Sequence, residues 1–312
     1  MPTLRRPRHS TLQVWPRKRA AGYIPSVNWS AIKSDKKILG FIAYKAGMMS
    51  AMVKNSTPNS LTLNKKIVVP VTVLECPPMK ILSIRFYKNG IPSTEVLSEN
   101  LDKELQRKIR MPKKIKKIDE IKSEDYDDVR IVVYTEPKKA DLKKTPDIVE
   151  LALSGSKEDK LNLAKSHLHK EITISDVFNK GDLADFRGLT KGKGLCGPIK
   201  RYGLNLKSHK SEKGQRRPGS LAPWHPARAT FHSPNAGQVG MFTRVIYNNK
   251  IVDIGKSNEK LKNIKNYGDV KTDYLIVKGS VQGPAKRQVL LTAPLRPWKT
   301  PAKLKYEMIE LM

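Results

Sequence analysis

Residues 187–237 constrain the fold most, because they cannot form a hydrophobic core of their own. They hold 11 lysines and arginines against one acid, Glu212, and eight glycines. Large aliphatic residues are scarce there and follow neither the strand nor the helix period. A structureless loop this long is usually either functional or disordered. Glycines let a backbone approach phosphates closely and cations neutralise them, so we expect this loop to act on a polyanion.

The centre of the loop carries two aromatic rings between prolines. Pro223 and Pro226 flank Trp224 and His225, and they stiffen the chain so that both rings are presented at a tip. One interpretation is a probe that stacks on RNA, with His225 stacking or hydrogen bonding. The other is an ordinary core tryptophan. The flanking residues offer almost no apolar surface, which favours the probe.

The whole chain is strongly basic. Its 312 residues carry 60 Lys plus Arg against 29 Asp plus Glu, a formal net charge of +31. Holding so many like charges together costs self-repulsion, so a polyanionic partner is expected, with nucleic acid as the default. Residues 1–30 contain six of the cations, four prolines and no acid, which predicts an extended basic arm. Such an arm is either solvated or docked, and Trp15, Tyr23 and Trp29 favour docking on a partner surface.

Short β-branched runs predict a mostly β protein with a small barrel or sandwich. Asn89-Gly90 predicts a tight hairpin, and Asn248-Asn249 a second turn. An insert with a different composition is expected to be a helical satellite, with helices at 101–117 and 156–169 and Ser156 as an N-cap. The predicted strands are residues 67–74, 81–87, 129–135, 183–190, 241–247, 251–254, 274–277 and 289–291.

These patterns divide the chain into an arm, a barrel in two stretches, an insertion, a loop and a tail. They are an N-terminal arm (1–36), the first barrel segment (37–94), a helical or mixed insertion (95–181), the second barrel segment (182–190 and 238–292), the long basic loop (191–237) and a C-terminal tail (293–312).

Several classes of protein are excluded. Cys76 and Cys196 lie far apart in the sequence and outside any Cys/His cluster, so neither a disulfide framework nor a zinc site is expected, and both should be reduced in a cytosol. No apolar run is long enough to span a bilayer, and the basic start lacks a following apolar region. We therefore expect a cytoplasmic protein with no membrane association.

The sequence also lacks convincing catalytic motifs. No metalloprotease, nucleophile-elbow or Walker pattern occurs. Residues 192–197 fit G-x-G-x-x-G after a predicted strand, but Pro198, Lys200, Arg201 and Gly203 are expected to prevent the helix that a dinucleotide site needs. The sequence therefore predicts no enzyme, cofactor, metal or small-molecule substrate.

Six motifs in order resemble the universal large-subunit ribosomal protein three family, in its archaeal form. They are PRHS to PRKRA (7–20), GF to YKAGM (40–48), TKGKG (190–194), GSLAPWHPA (219–227), AGQ (236–238) and VKGSV with GP (277–284). The resemblance runs nearly end to end. It implies a translation-protein-type closed β-barrel with long extensions, and no catalytic role.

The resemblance also implies a place in the ribosome. Members of the family bind large-subunit rRNA early in assembly, beside neighbouring ribosomal proteins. Their internal loop extends toward the peptidyl-transferase centre with a tryptophan at its tip, which corresponds to Trp224, and Lys213, Arg216 and Arg217 lie on the approach to it. Two alternative functions stay open, that of an architectural DNA or chromatin protein and that of an RNA-modifying enzyme. The former needs a groove-reading element and the latter a cofactor or acid/base site, and neither is evident.

The predicted rRNA-binding residues combine the arm, the loop cations and the aromatic tip. They are Arg5, Arg6, Arg8, Arg17, Lys18, Arg19, Arg187, Lys191, Lys193, Lys200, Arg201, Lys213, Arg216, Arg217, Trp224, His225 and Arg228.

Overall fold

A computed structural model describes residues 15–112, 118, 126–225, 227–231, 233–257 and 261–312. The chain divides into two compact units. The sheet body comprises Ile24–Gly188 and Val245–Met312, and the loop unit comprises Leu189–Arg244 with the described residues of the N-terminal arm, 15–23.

Strands are the main regular secondary structure of the described residues. The described part of the chain contains three helices, α1 (Lys157–His167), α2 (Pro198–Tyr202) and α3 (Lys299–Lys303), with 3-10 turns at Trp29–Ala31, Lys103–Arg107 and Ile174–Asp176. The strands are β1 (Gly40–Asn55), β2 (Lys66–Cys76), β3 (Met79–Lys88), β4 (Ile91–Leu97), β5 (Asp128–Thr135), β6 (Ile148–Ala152), β7 (Leu183–Leu189), β8 (Leu195–Cys196), β9 (Gly237–Gln238), β10 (Thr243–Gly255), β11 (Asp273–Lys278), β12 (Gln288–Thr292) and β13 (Tyr306–Leu311).

The larger sheet has the order β12-β7-β10-β11-β2-β1-β13, and β1 also pairs with β12. The length of β1 allows three antiparallel neighbours. Residues 40–44 pair with β12, residues 51–55 with β13, and residues 44–54 with β2. Each strand from β12 through β7, β10, β11 and β2 to β1 therefore has a strand neighbour on both sides, so backbone groups on both of its edges take part in pairing.

The second sheet has the order β4-β3-β5-β6. Asn89 and Gly90 join β3 to β4 with φ of 52° and 75°, the left-handed conformation that a type I′ hairpin requires, so the predicted turn is confirmed. The proposed boundary between residues 94 and 95 falls inside β4. The largest hydrophobic cluster contains side chains from both sheets and from α1, among them Phe41, Phe86 and Phe186.

The predicted helix at 156–169 is confirmed with its cap. The Ser156 hydroxyl accepts a bond from the Asp159 N–H at 3.2 Å, and the Asp159 carboxylate accepts one from the Ser156 N–H at 3.2 Å. This capping box satisfies two of the donors that a helix start leaves open. The buried side of α1 carries Ala164, which lies in the main core.

Three expectations within the sheet body are wrong. Residues 101–112 form only the 3-10 turn Lys103–Arg107, and Pro112 disfavours a helix that runs through it; residues 113–117 lie outside the described residues. No turn interrupts β10 at Asn248, where a φ of 56° is absorbed within the strand. Trp29 is 5% exposed in the core, so it does not face a partner.

A buried carboxylate organises the segment before β11. Glu75 is fully buried at the end of β2. It accepts bonds from the N–H groups of Lys271 and Thr272 at 2.7 and 2.9 Å, and from the Tyr267 hydroxyl. Burial and the adjacent Glu75 charge raise the pKa of Tyr267, so this hydroxyl stays a donor. A buried charge is tolerated here because several donors satisfy it.

Replacing Glu75 by Ala is expected to destabilise the sheet body by about 3–5 kcal/mol, because it leaves several buried donors without an acceptor. Glu75→Gln retains one acceptor oxygen and should lose less. Urea unfolding followed by tryptophan fluorescence measures the difference. Equal stability of the Ala variant and the wild type would contradict this account.

Candidate nucleic-acid interface

The long loop is closed at its base by a narrow antiparallel stem. β8 pairs with β9, and the Thr190 N–H donates to the Phe242 carbonyl at 3.0 Å. Between the β8–β9 pair and the Thr190–Phe242 bond, the Lys193 N–H donates to the Val239 carbonyl at 2.9 Å. Gly240 is required here, because it has φ of 77° and a Cβ would lie 1.9 Å from the Lys191 carbonyl oxygen. The sequence predicted neither this stem nor the role of Gly240.

Gly240→Ala is expected to open the stem. The variant meets both left-handed strain and a backbone clash, whereas Gly214→Ala meets only the strain, since φ is 83° there and no atom lies within 4 Å. We expect trypsin to cleave the loop about tenfold faster in the Gly240 variant than in the Gly214 control, equivalent to about 1.4 kcal/mol of local stability. Identical cleavage of both variants would show that the close approach has no role.

A short helix follows the glycine pattern at 192–197, which corrects the expectation that none would. Pro198 occupies the first turn of α2, where its missing N–H costs nothing, and Gly203 ends the helix with φ of 72°. The helix has only five residues, and β8 pairs antiparallel with β9. A dinucleotide site needs a longer helix between parallel strands, so the pattern does not form one.

Two of the predicted RNA ligands bind each other's backbone and so hold the arm to the loop. Arg17 donates to the Arg201 carbonyl at 2.7 Å, and Arg201 donates to the Arg17 carbonyl at 3.3 Å. The Arg17 guanidinium also lies 4.4 Å from the centre of the Tyr202 ring, a cation–π contact. Trp15 packs 6.3 Å from Tyr202 and 5.7 Å from Phe231 between ring centroids. The aromatic residues of this junction therefore pack within the chain.

Most of the other predicted cations are exposed and have no ion pair among the described residues. Glu212, the single acid of residues 187–237, is exposed as well. Unpaired like charges repel one another, which disfavours this surface in water and favours it against phosphates. The exposed cations are Lys18, Arg19, Lys191, Lys193, Lys200, Lys213, Arg216, Arg217 and Arg228.

The remaining predicted cations differ from this group. Arg187 belongs to the sheet body, where its Nε donates to the Thr292 hydroxyl at 3.2 Å and burial lowers its pKa. Arg5, Arg6 and Arg8 lie outside the described residues.

Trp224 is 85% exposed, which excludes the interpretation as a core residue. The ring of His225, also exposed, stands nearly perpendicular to it at 87°, with 6.4 Å between centroids. The Ser233 hydroxyl donates to the Leu221 carbonyl at 2.5 Å and closes the chain behind these two rings. Both rings therefore have faces that a planar partner can contact.

The described residues hold no group of three or more His, Cys, Asp or Glu that could bind a metal ion. Cys76 and Cys196 are free and buried. Among the same residues, no helix is long and apolar enough to cross a membrane.

The loop unit combines nine exposed cations, without an ion pair among the described residues, with an exposed ring, as nucleic-acid-binding surfaces do. In comparison with known proteins, residues 1–311 match the ribosomal protein L3 family. This chain therefore belongs to the ribosomal protein L3 family, as the motifs predicted, and it is a ribosomal protein and not an enzyme.

Three of its similar relatives come from archaea and match along nearly their whole length. The large ribosomal subunit protein uL3 of Methanocaldococcus jannaschii is 38% identical, covering 94% of this chain and 92% of the relative. That of Archaeoglobus fulgidus is 38% identical, covering 94% and 93%. That of Methanococcus aeolicus is 40% identical, covering 93% and 92%.

Proposed function

We propose that this chain is a structural constituent of the large subunit of the cytoplasmic ribosome and binds large-subunit rRNA. The observation that carries the proposal is the surface of the loop unit, where nine exposed cations have no ion pair among the described residues. An RNA backbone would neutralise them and release its counterions. The names of the relatives, all large-subunit proteins, support the same partner.

The sheet body and the loop unit would have different roles. We infer that the six strands of the larger sheet that have neighbours on both sides, β12, β7, β10, β11, β2 and β1, form the closed β-barrel that the family resemblance implies. We also infer that the sheet body anchors the protein among neighbouring ribosomal proteins. The arm and the loop would enter the rRNA early in assembly, with the loop reaching toward the peptidyl-transferase centre and Trp224 at its tip. Arg17 and Arg201 would act by fixing arm to loop, since their bonds lie within the chain.

No observation favours the architectural DNA alternative. A reader of the major groove needs an exposed helix or a two-stranded ribbon. Among the described residues of the loop unit the one helix, α2, has five residues, and the β8–β9 ladder has two residue pairs.

Sedimentation of a cell extract tests the proposal. We expect the protein to migrate with the large subunit and to remain there in moderately high salt. Migration with chromosomal DNA, or release to the top of the gradient at low salt, would refute it. Nuclease treatment of the extract distinguishes RNA from DNA as the partner, because RNase alone should release the protein and DNase should not.

A further inference from the structure

The segment 295–305 follows β12 and carries α3, and its backbone is held at the start by two buried polar residues of the sheet body. Asp185 is fully buried and accepts the N–H groups of Asn248 and Leu295 at 2.8 and 2.9 Å. Asn248 in turn donates to the Arg296 carbonyl at 2.9 Å and accepts the Trp298 N–H at 3.3 Å. The left-handed backbone at Asn248 therefore has a structural purpose, since it places this side chain against the segment.

The end of the segment is held in the same way. Lys250 is 7% exposed and its ammonium donates to the Ala302 carbonyl at 3.1 Å, while the Lys305 N–H donates to the Thr57 hydroxyl at 3.0 Å. Burial lowers the pKa of Lys250; the Asp182 charge opposes this shift and the Lys305 charge adds to it.

All these anchors use backbone atoms of the segment, which leaves its side chains available. Trp298 is 62% exposed. Residues 293–306 contain four cations and no acid. Within the described residues of the chain, the charged and aromatic side chains of the segment are exposed and have no hydrogen bond, ion pair or ring contact; they are Arg296, Trp298, Lys299, Lys303 and Lys305.

This arrangement points to one kind of ligand. An exposed indole on a fixed backbone offers a stacking face at little cost in ordering entropy, and surrounding cations favour a phosphate backbone. The central region of a protein–protein interface is instead depleted in lysine. A nucleic acid matches both the exposed indole and the cations, because its planar bases can stack and its phosphates carry the opposite charge.

We propose that residues 296–305 form a second RNA-binding surface, in which an unpaired rRNA base stacks on Trp298 and flanking phosphates contact Arg296, Lys299, Lys303 and Lys305. The choice of RNA as partner rests on the proposed function. The surface itself lies in the sheet body, so it can be tested while the loop unit is left intact.

The test compares Trp298→Ala and Trp298→Phe in the full chain, using an in vitro transcript of the large-subunit rRNA from the same organism. Loss of one stacked base should weaken binding about 5- to 100-fold, whereas phenylalanine should stay within about threefold because it keeps a stacking face. Thermal unfolding of both variants should match the wild type, since the indole is exposed. Equal loss in the two variants, or no loss in either, would overturn the stacking role.

A charge variant tests the phosphate contacts. Lys299, Lys303 and Lys305 changed together to Gln should make the slope of log affinity against log salt shallower by about 2 to 3. Lys88, Lys103 and Lys170, exposed elsewhere on the sheet body, provide a control that removes equal charge and should leave the slope nearly unchanged. Equal effects of both triples would overturn the proposal of a defined surface. If the wild type itself shows no salt-dependent binding, the proposed function fails instead.

Discussion

Changing Lys213, Arg216, Arg217 and Arg228 together to glutamine is expected to weaken binding to large-subunit rRNA about 100- to 1000-fold, at about 0.7–1 kcal/mol for each lost phosphate contact. All four side chains are exposed and lack an ion pair among the described residues, so the substitutions break no ion pair within that part of the chain. The salt slope should become shallower by about 3 to 4. Filter binding across a salt series measures both quantities.

The matched control removes four exposed lysines from the sheet body, Lys33, Lys88, Lys103 and Lys170. It lowers the net charge by the same amount without touching the loop unit. If the loop variant and the control lost affinity equally, binding would follow total charge, and the loop would have no special role.

Trp224→Ala is expected to reduce incorporation into large subunits about 5- to 100-fold while leaving the fold intact, because an exposed ring contributes stacking and no core packing. With 85% of the residue exposed, the thermal midpoint should stay within about 1 °C of the wild type. Competition between tagged variant and wild-type chains, followed by quantifying each in purified large subunits, gives the ratio directly.

Trp29→Ala provides the contrast. Trp29 is 5% exposed and packs in the main core, so its loss should destabilise the sheet body by about 3–5 kcal/mol. A Trp224 variant that unfolded like the Trp29 variant would show that the tip ring has a structural role. One that entered subunits as well as the wild type would show that the ring has no role in assembly.

Local patterns in the sequence predicted local structure well. The capping residue Ser156 marks the start of α1, and Asn89-Gly90 gives the hairpin between β3 and β4. The exposure of Trp224 followed from its prolines and the absence of apolar neighbours. Each of these outcomes depends on residues within a few positions of one another, so a single sequence contains the information.

Features that depend on distant partners could not be predicted in this way. Asn248 resembles a turn residue, but its conformation serves bonds to Asp185 and to the segment after β12. Arg17 and Arg201 resemble free RNA ligands, yet they bind each other across 184 positions of the chain. Charge composition identifies the basic segments, whereas tertiary contacts decide which of their cations stay available.

The salt dependence of rRNA binding by the unmodified chain tests the central claim most directly. If only the nine exposed arm and loop cations each neutralise one phosphate, the log–log slope should lie between about −6 and −8, at 0.7–0.9 per contact. The measurement needs the full chain, a large-subunit rRNA transcript and salt between about 0.05 and 0.5 M. A steep negative slope is the predicted result, and a slope near zero would contradict the account.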